Sequence, residues 1–296
     1  MSTPQSPTGS LCSPKISDSV IEHGVPKLAH SLVGKEVNGY KIVQYIGQGG
    51  MGLVFKAEPD KVGSPVAIKV LHTNIPDQDQ RALEEAKNLV KHNNNDGIVK
   101  INGIGSLDTG QSCLIMEFLE GETLAKKLAQ VHIPPISITI QYIHKIAKIM
   151  VGVHQQKTAH LDLKPSNIMI LQDRHSQHEE DGETLKIIDF GLAIQFGLQR
   201  NNMIIKSNGV VFAGTPQYAA PEIWSGIITP NAMTEADVYS LGIIFYELLC
   251  GFLPFSGADL FEFQQKHLKA QPPSVRDSNK AIPEELDNLI LRMLAK

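Results

Sequence analysis

Between Tyr40 and about Leu119 the apolar positions come in short runs that end at glycines or polar clusters. Tyr40 to Ile46, Leu53 to Ala57 and Val66 to Lys69 read as strands, rich in β-branched and aromatic residues and bounded by turn formers. One segment breaks this pattern. From Asp77 to Lys91, the residues Ala82, Leu83, Ala86, Leu89 and Val90 repeat near the helical period. Beyond Leu124 helical spacing takes over. Ser137 to Gln155 carries Tyr142, Ile143, Ile146, Ala147, Ile149, Met150 and Val153 on one stripe, a core pattern rather than a ligand set. Two further strands, Ile168 to Leu171 and Leu185 to Ile188, flank a polar loop. Apolar helices then run from Asp237 to about Cys250 and from Asp259 to Ala270. The pattern predicts an α+β fold of two lobes, a small β-rich one over about 33–119 and a larger, mainly helical one over about 120–296. Met1 to about Leu32 is rich in Ser, Pro and Thr with few aromatics, and is expected to be a flexible leader.

The chain has 296 residues and is 42% hydrophobic, enough for one two-lobed domain. A net charge of −4 gives no electrostatic case for nucleic acid or an anionic membrane. Cys12, Cys113 and Cys250 are widely separated, odd in number and without metal-site spacing, which points to a reducing cytosol. No apolar run approaches a membrane span, and the N-terminus lacks the charged and apolar regions of a signal peptide.

Against this background a few polar clusters carry chemistry. Gly47-Gln48-Gly49-Gly50-Met51-Gly52 reads G-x-G-x-x-G. Alone it could open a dinucleotide-binding turn or be an ordinary hairpin turn. Strands on both sides favour a turn that lays bare backbone over phosphates. Lys69 ends an apolar strand, where an ammonium needs an anionic partner. Glu84 and Glu85 compete for that place, or both are solvated helix surface. His160-Leu161-Asp162-Leu163-Lys164-Pro165-Ser166-Asn167 sets an acid five positions before an asparagine, as phosphoryl transfer requires of a proton acceptor beside a metal ligand. Asp189-Phe190-Gly191 follows the second strand of the larger lobe, and Ala220-Pro221-Glu222 comes later.

In this order the motifs resemble the catalytic domain of eukaryotic-type (Hanks-type) Ser/Thr protein kinases, over roughly Val33 to Lys296. The wording of Ile46 to Gly52, and Lys266-His267-Leu268-Lys269 ahead of Pro272-Pro273, is most similar to the bacterial branch. The resemblance implies that ATP and Mg²⁺ (Mn²⁺ as the alternative) bind between the lobes. Ile46, Gly47, Gln48, Gly49, Gly50, Met51, Gly52, Leu53, Val54 and Ala67 would surround the nucleotide. Lys69 would meet the α- and β-phosphates and pair with Glu85, preferred because Leu89 follows it by four. Met116 would be the gatekeeper, with the backbones of Glu117 and Leu119 on the adenine edge. Asp162 would accept the hydroxyl proton, Lys164 would neutralise charge on the transferred group, and Thr215 would bridge the two. Asn167 and Asp189 would hold the metal. His160 and Asp237 would be scaffold. The implied partner is a protein with a Ser or Thr acceptor. The implied setting is the cytoplasm, or a host cell for a delivered effector. Two rival functions share parts of the pattern. A pseudokinase keeps the fold without transfer. A small-molecule phosphotransferase has a similar His-x-Asp arrangement but no need of Lys164, Gly214-Thr215 or Ala-Pro-Glu.

Three features depart from the pattern. The loop from Gln172 to Thr184 is long and polar, and His175 and His178 within it read as solvated insertion rather than metal ligands. The arginine expected to pair with Glu222 would lie beyond Lys296. Leu161 stands where an arginine usually reads a phosphate on the activation segment. Activity is therefore expected to depend little on phosphorylation there. Phosphatase treatment and Ser207→Ala should both leave phosphate transfer essentially intact, and loss in both would overturn the expectation.

Overall fold

The computed structural model describes residues 21–22, 25–49, 52–72, 86–87, 89–172, 183–190, 194–195, 215–226 and 229–296. The small lobe is built on six strands: β1 (Glu36–Val37), β2 (Tyr40–Gly49), β3 (Gly52–Pro59), β4 (Val66–Leu71), β5 (Ile101–Ser106) and β6 (Ser112–Glu117). They form one antiparallel sheet in the order β1-β2-β3-β4-β6-β5. Side chains alternate across it. Leu53, Phe55, Ala57, Val66, Ile68, Val70, Cys113 and Ile115 share one buried face. Register puts Val54, Lys69 and Leu114 in one row of the other face, and Lys56, Ala67 and Met116 in the next. That second face looks toward the large lobe, whose core Leu114 and Met116 join. Gly52 is required where it stands, since a Cβ there would lie 2.2 Å from the Val70 carbonyl oxygen.

The last residues of the stretch expected to be a leader are described. Lys27–Leu32 forms a helix, α1, whose Ala29 and Leu32 are buried in the small-lobe core beside Val37 and Ile42. Two apolar residues three apart are enough to dock a short helix, but too few to register as a periodic pattern.

The large lobe contains α2 (Leu124–Val131), α3 (Ile136–Gln155), α4 (Pro221–Ser225), α5 (Pro230–Cys250), α6 (Leu260–Lys269), α7 (Val275–Ser278) and α8 (Glu284–Met293). Helix α5 is apolar all round and is buried along most of its length, as a central helix must be. It begins seven residues before the expected Asp237, because Thr229 caps it (Oγ1 accepts from the Ala232 amide at 3.2 Å) and Pro230 opens its first turn. Three strands, β7 (Gly121–Thr123), β8 (Ile168–Gln172) and β9 (Glu183–Ile187), lie in the order β9-β8-β7 between the lobes' connection and the helices.

Two attachments between the lobes involve the backbone. Residues 97–99 pair with the end of β9: the Ile187 amide donates to Gly97 O at 2.8 Å and the Val99 amide to Ile187 O at 3.0 Å. The second place is Glu117. Its amide donates to Lys100 O at 2.9 Å, while its carboxylate accepts from the Lys100 amide at 2.8 Å and from Lys186 of β9.

Two buried histidines resist acid. His267 is enclosed by Trp224, Tyr239, Phe255 and Phe263, and burial pushes its pKa down to about 3. Burial likewise takes His92 to about 4. Both values lie below the unfolded histidine value of about 6.5. The folded state thus prefers both neutral, and their contribution is complete above pH 6.5 and is lost as pH falls toward 4 and then 3. Each can remove about 1.4 kcal/mol per pH unit in that window. Urea unfolding at pH 7 and pH 5 should show a smaller loss in His267→Leu than in the parent chain, and equal losses would contradict the assignment.

Candidate active site

The loop ahead of β8 is held from beneath by Asp237 of α5, whose side chain is only 1% exposed. Its Oδ2 accepts from the His160 amide and its Oδ1 from the Leu161 amide, both at 2.8 Å. His154 Nε2 also lies 2.8 Å from Oδ2. Leu161 is fixed with φ of +63°, a left-handed conformation that costs a branched residue about 1–2 kcal/mol. That turn directs Asp162 out of the loop.

Asp162, Lys164 and Thr215 close a ring of hydrogen bonds. Lys164 Nζ donates to Asp162 Oδ2 at 2.7 Å and to Thr215 Oγ1 at 2.6 Å, and Thr215 Oγ1 donates to Asp162 Oδ1 at 2.9 Å. Asn167 ends the 3₁₀ turn Pro165–Asn167 and is buried. Its amide nitrogen donates to Asp162 O at 2.9 Å and to Asp162 Oδ2 at 3.2 Å, which leaves Oδ1 as the atom a cation would meet. Asp162, Lys164 and Thr215, to which the sequence resemblance gave linked roles, thus stand together, although Thr215 is 53 positions from Asp162.

Across the cleft, Lys69 Nζ donates to Asp189 Oδ1 at 2.8 Å. The lysine side chain is 4% exposed and the aspartate 25%, so the ammonium is screened from water by its surroundings. Asp189 also has a left-handed φ, of +65°. Gly49 of β2 approaches it closely enough that a Cβ there would lie 3.8 Å from Asp189 Oδ2. The expected partner Glu85 lies outside the described residues, as do Gly50, Met51, Ser207 and the insertion's His175 and His178.

The nucleotide-lining set needs one correction. Leu53 is 2% exposed and packs in the small-lobe core with Ile42 and Phe55, because strand alternation turns it away from the cleft. Val54, Ala67, Lys69 and Met116 share the cleft face. Ile46 is exposed, Gly47 half-buried and Gln48 exposed along β2. Glu117 and Leu119 are half-buried at the connection.

Glu222 was expected to lack a partner within this sequence. Burial raises its pKa, and the Lys296 ammonium acts in the opposite direction. Lys296 itself lies over the rings of Tyr239 and Phe255, at 5.0 and 4.5 Å, and burial draws its pKa down to about 8.

Sequence reasoning missed a cavity of about 280 Å³ beside Lys164 and Thr215, with Tyr218, Glu247, Leu128 and Leu253 in its walls. Tyr218 Oη donates to Glu247 Oε2 at 2.7 Å, while burial raises the Glu247 pKa. The available signal was a lone acid within the apolar run of α5.

The profile of the protein kinase domain matches residues 40–296. The chain belongs to the protein kinase domain family. It is 30% identical to serine/threonine-protein kinase PrkC of Bacillus subtilis over 90% of this chain and 39% of that protein. It is 34% identical to serine/threonine-protein kinase Pkn1 of Myxococcus xanthus over 90% of this chain and 36% of that protein. The chain therefore spans little more than a third of these curated relatives. The two-lobed α+β architecture expected for a protein kinase domain is the one observed. No helix among the described residues is long and apolar enough to cross a membrane.

In this kinase domain Asp237 should tolerate no loss of an acceptor. Asp237→Asn keeps the shape but sets an amide N–H against a backbone N–H. A loss of about 2–3 kcal/mol in denaturant unfolding is expected, together with reduced phosphate transfer.

Proposed function

We propose that this chain is the catalytic domain of a Ser/Thr protein kinase that transfers the γ-phosphoryl group of ATP to Ser or Thr hydroxyls of proteins, itself included. The observation that carries the reading is the closed contact among Asp162, Lys164 and Thr215, with Asn167 bonded to the same aspartate. Asp162 orients the acceptor hydroxyl and receives its proton as the new oxygen–phosphorus bond forms. The bond to the β-phosphate oxygen breaks, and ADP leaves. Lys164 offsets charge on the transferred group while holding Asp162 in place. Lys69 positions the phosphates beneath the glycine turn, and the cleft face of Val54, Ala67 and Met116 receives the base. Such catalysis is mostly positioning and electrostatics.

Asn167 and Asp189 supply an amide oxygen and a carboxylate, hard oxygen donors that suit Mg²⁺, with Mn²⁺ as an alternative. Asn167 and Asp189 would hold such a cation, whose charge would offset that of the phosphates. We place the kinase domain from about Lys27, with the leader before it, since α1 is packed into the small lobe. Cys113 and Cys250 are free and buried, which suits the cytoplasm of a bacterium.

Radiolabelled transfer from Mg-ATP to the chain and to a generic basic substrate tests the reading. Asp162→Asn and Lys69→Met should each lower labelling of Ser and Thr by about 10²-fold or more. Nucleotide binding without any labelling would instead identify a pseudokinase, and transfer to a small alcohol without protein labelling would identify a small-molecule phosphotransferase.

A further inference from the structure

Lys56, Ala67 and Met116 form one row across the cleft face of the small-lobe sheet. Side chains paired in this way stand about 5 Å apart at Cβ. Met116 ends the row on β6, the strand that runs into the connection, and Ala67 is small enough to leave the middle open. Lys56 stands at the other end, on β3. Its ammonium lies over the ring of Phe118, 5.1 Å from the centroid. Phe118 is the first residue past β6. An ammonium within about 6 Å of a ring centre is attracted by the negative face of the aromatic system. The Glu58 carboxylate is a poorer partner. It is 3.9 Å from the same nitrogen and more than half exposed, whereas charge-assisted hydrogen bonds form at about 2.7–2.9 Å.

This contact bridges elements that the sheet keeps apart. Strand β4 lies between β3 and β6, so the ladders tie β3 to the connection only through an intervening strand. Lys56 reaches across and fastens β3 to the connection directly. Strand β3 also starts at Gly52, the end of the glycine turn, and carries Val54 on the same face as Lys56. Its distance from the connection therefore sets the height of the slot that Val54 and Ala67 roof. Lys69 belongs to the neighbouring row, opposite Val54 and nearer the glycine turn, and its charge is engaged by Asp189.

We propose that Lys56 is a positioning residue for the nucleotide base: through Phe118 it straps β3 to the connection and holds the slot at the thickness of a flat ring. The proposal rests on the reading of the cleft as a nucleotide site. The strap acts where the base lies and not on the phosphates, so it contributes equally to binding of ATP and of adenosine.

The test is equilibrium binding of ATP and of adenosine to the full chain by calorimetry, together with kcat and KM for ATP. Lys56→Met keeps the length of the stem and removes the charge. It should weaken both ligands by about fivefold, the factor a partly exposed cation–π contact represents. KM for ATP should rise by the same factor, with kcat changed by less than about twofold. Lys56→Arg keeps a cation over the ring and should bind as the parent does. Phe118→Leu should reproduce Lys56→Met, and the double variant should be no weaker than either single one. Glu58→Gln should leave binding of both ligands unchanged. Weakened ATP with unaltered adenosine would show that the ammonium acts on the phosphates and would overturn the proposal, as would arginine behaving like methionine or additive losses in the double variant. Binding indifferent to Lys56 would sink the proposal alone, whereas a parent chain that binds neither ligand would sink the nucleotide reading and the proposal with it.

Discussion

A single buried carboxylate governs the loop on which the candidate chemistry rests. Asp237 is an anion almost wholly removed from water, a placement that is costly unless donors surround it. Two backbone amides and the His154 ring supply them. The same bonds hold the left-handed turn at Leu161, and this turn orients Asp162 toward Lys164, Thr215 and Asn167. Because Asp237 sits on α5, the most buried helix, the loop inherits the rigidity of the large-lobe core. Glu247, one face further along that helix, bounds the cavity beside Lys164.

The small lobe solves a different problem. Its sheet must bury one face and keep the other available, and strand alternation does both at once. Residues of one parity close the core with α1. Those of the other parity place a lysine among apolar neighbours opposite Asp189. The ion pair across the cleft ties Lys69 to the other lobe and fastens Asp189, whose left-handed conformation the backbone alone disfavours.

Much of this was legible in the chain. The motifs around Asp162 and Asp189 are short and local, so spacing alone groups their chemistry. The alternating and helical periods gave the two lobes, because each follows from burial of one face. What was illegible depended on tertiary register. The withdrawal of Leu53 from the cleft requires knowing which face of β3 is covered. Helix α1 has too few turns to announce itself. The link between Lys69 and Asp189 spans 120 positions, and no local rule reaches that far.

Besides the Lys69–Asp189 ion pair, the lobes touch through the 97–99 pairing with Ile187 and through Glu117 with Lys100 and Lys186, attachments that adjoin each other along the chain at 97–100 and 186–187. Two fixed points define an axis. A rotation about that axis changes the spacing at the rear of the cleft very little, while the glycine turn at Gly49, far along β2, sweeps the widest arc. Such a hinge has its short arm at Glu117 and its long arm at Gly49, and the Lys69–Asp189 ion pair is the contact that a rotation about it must stretch.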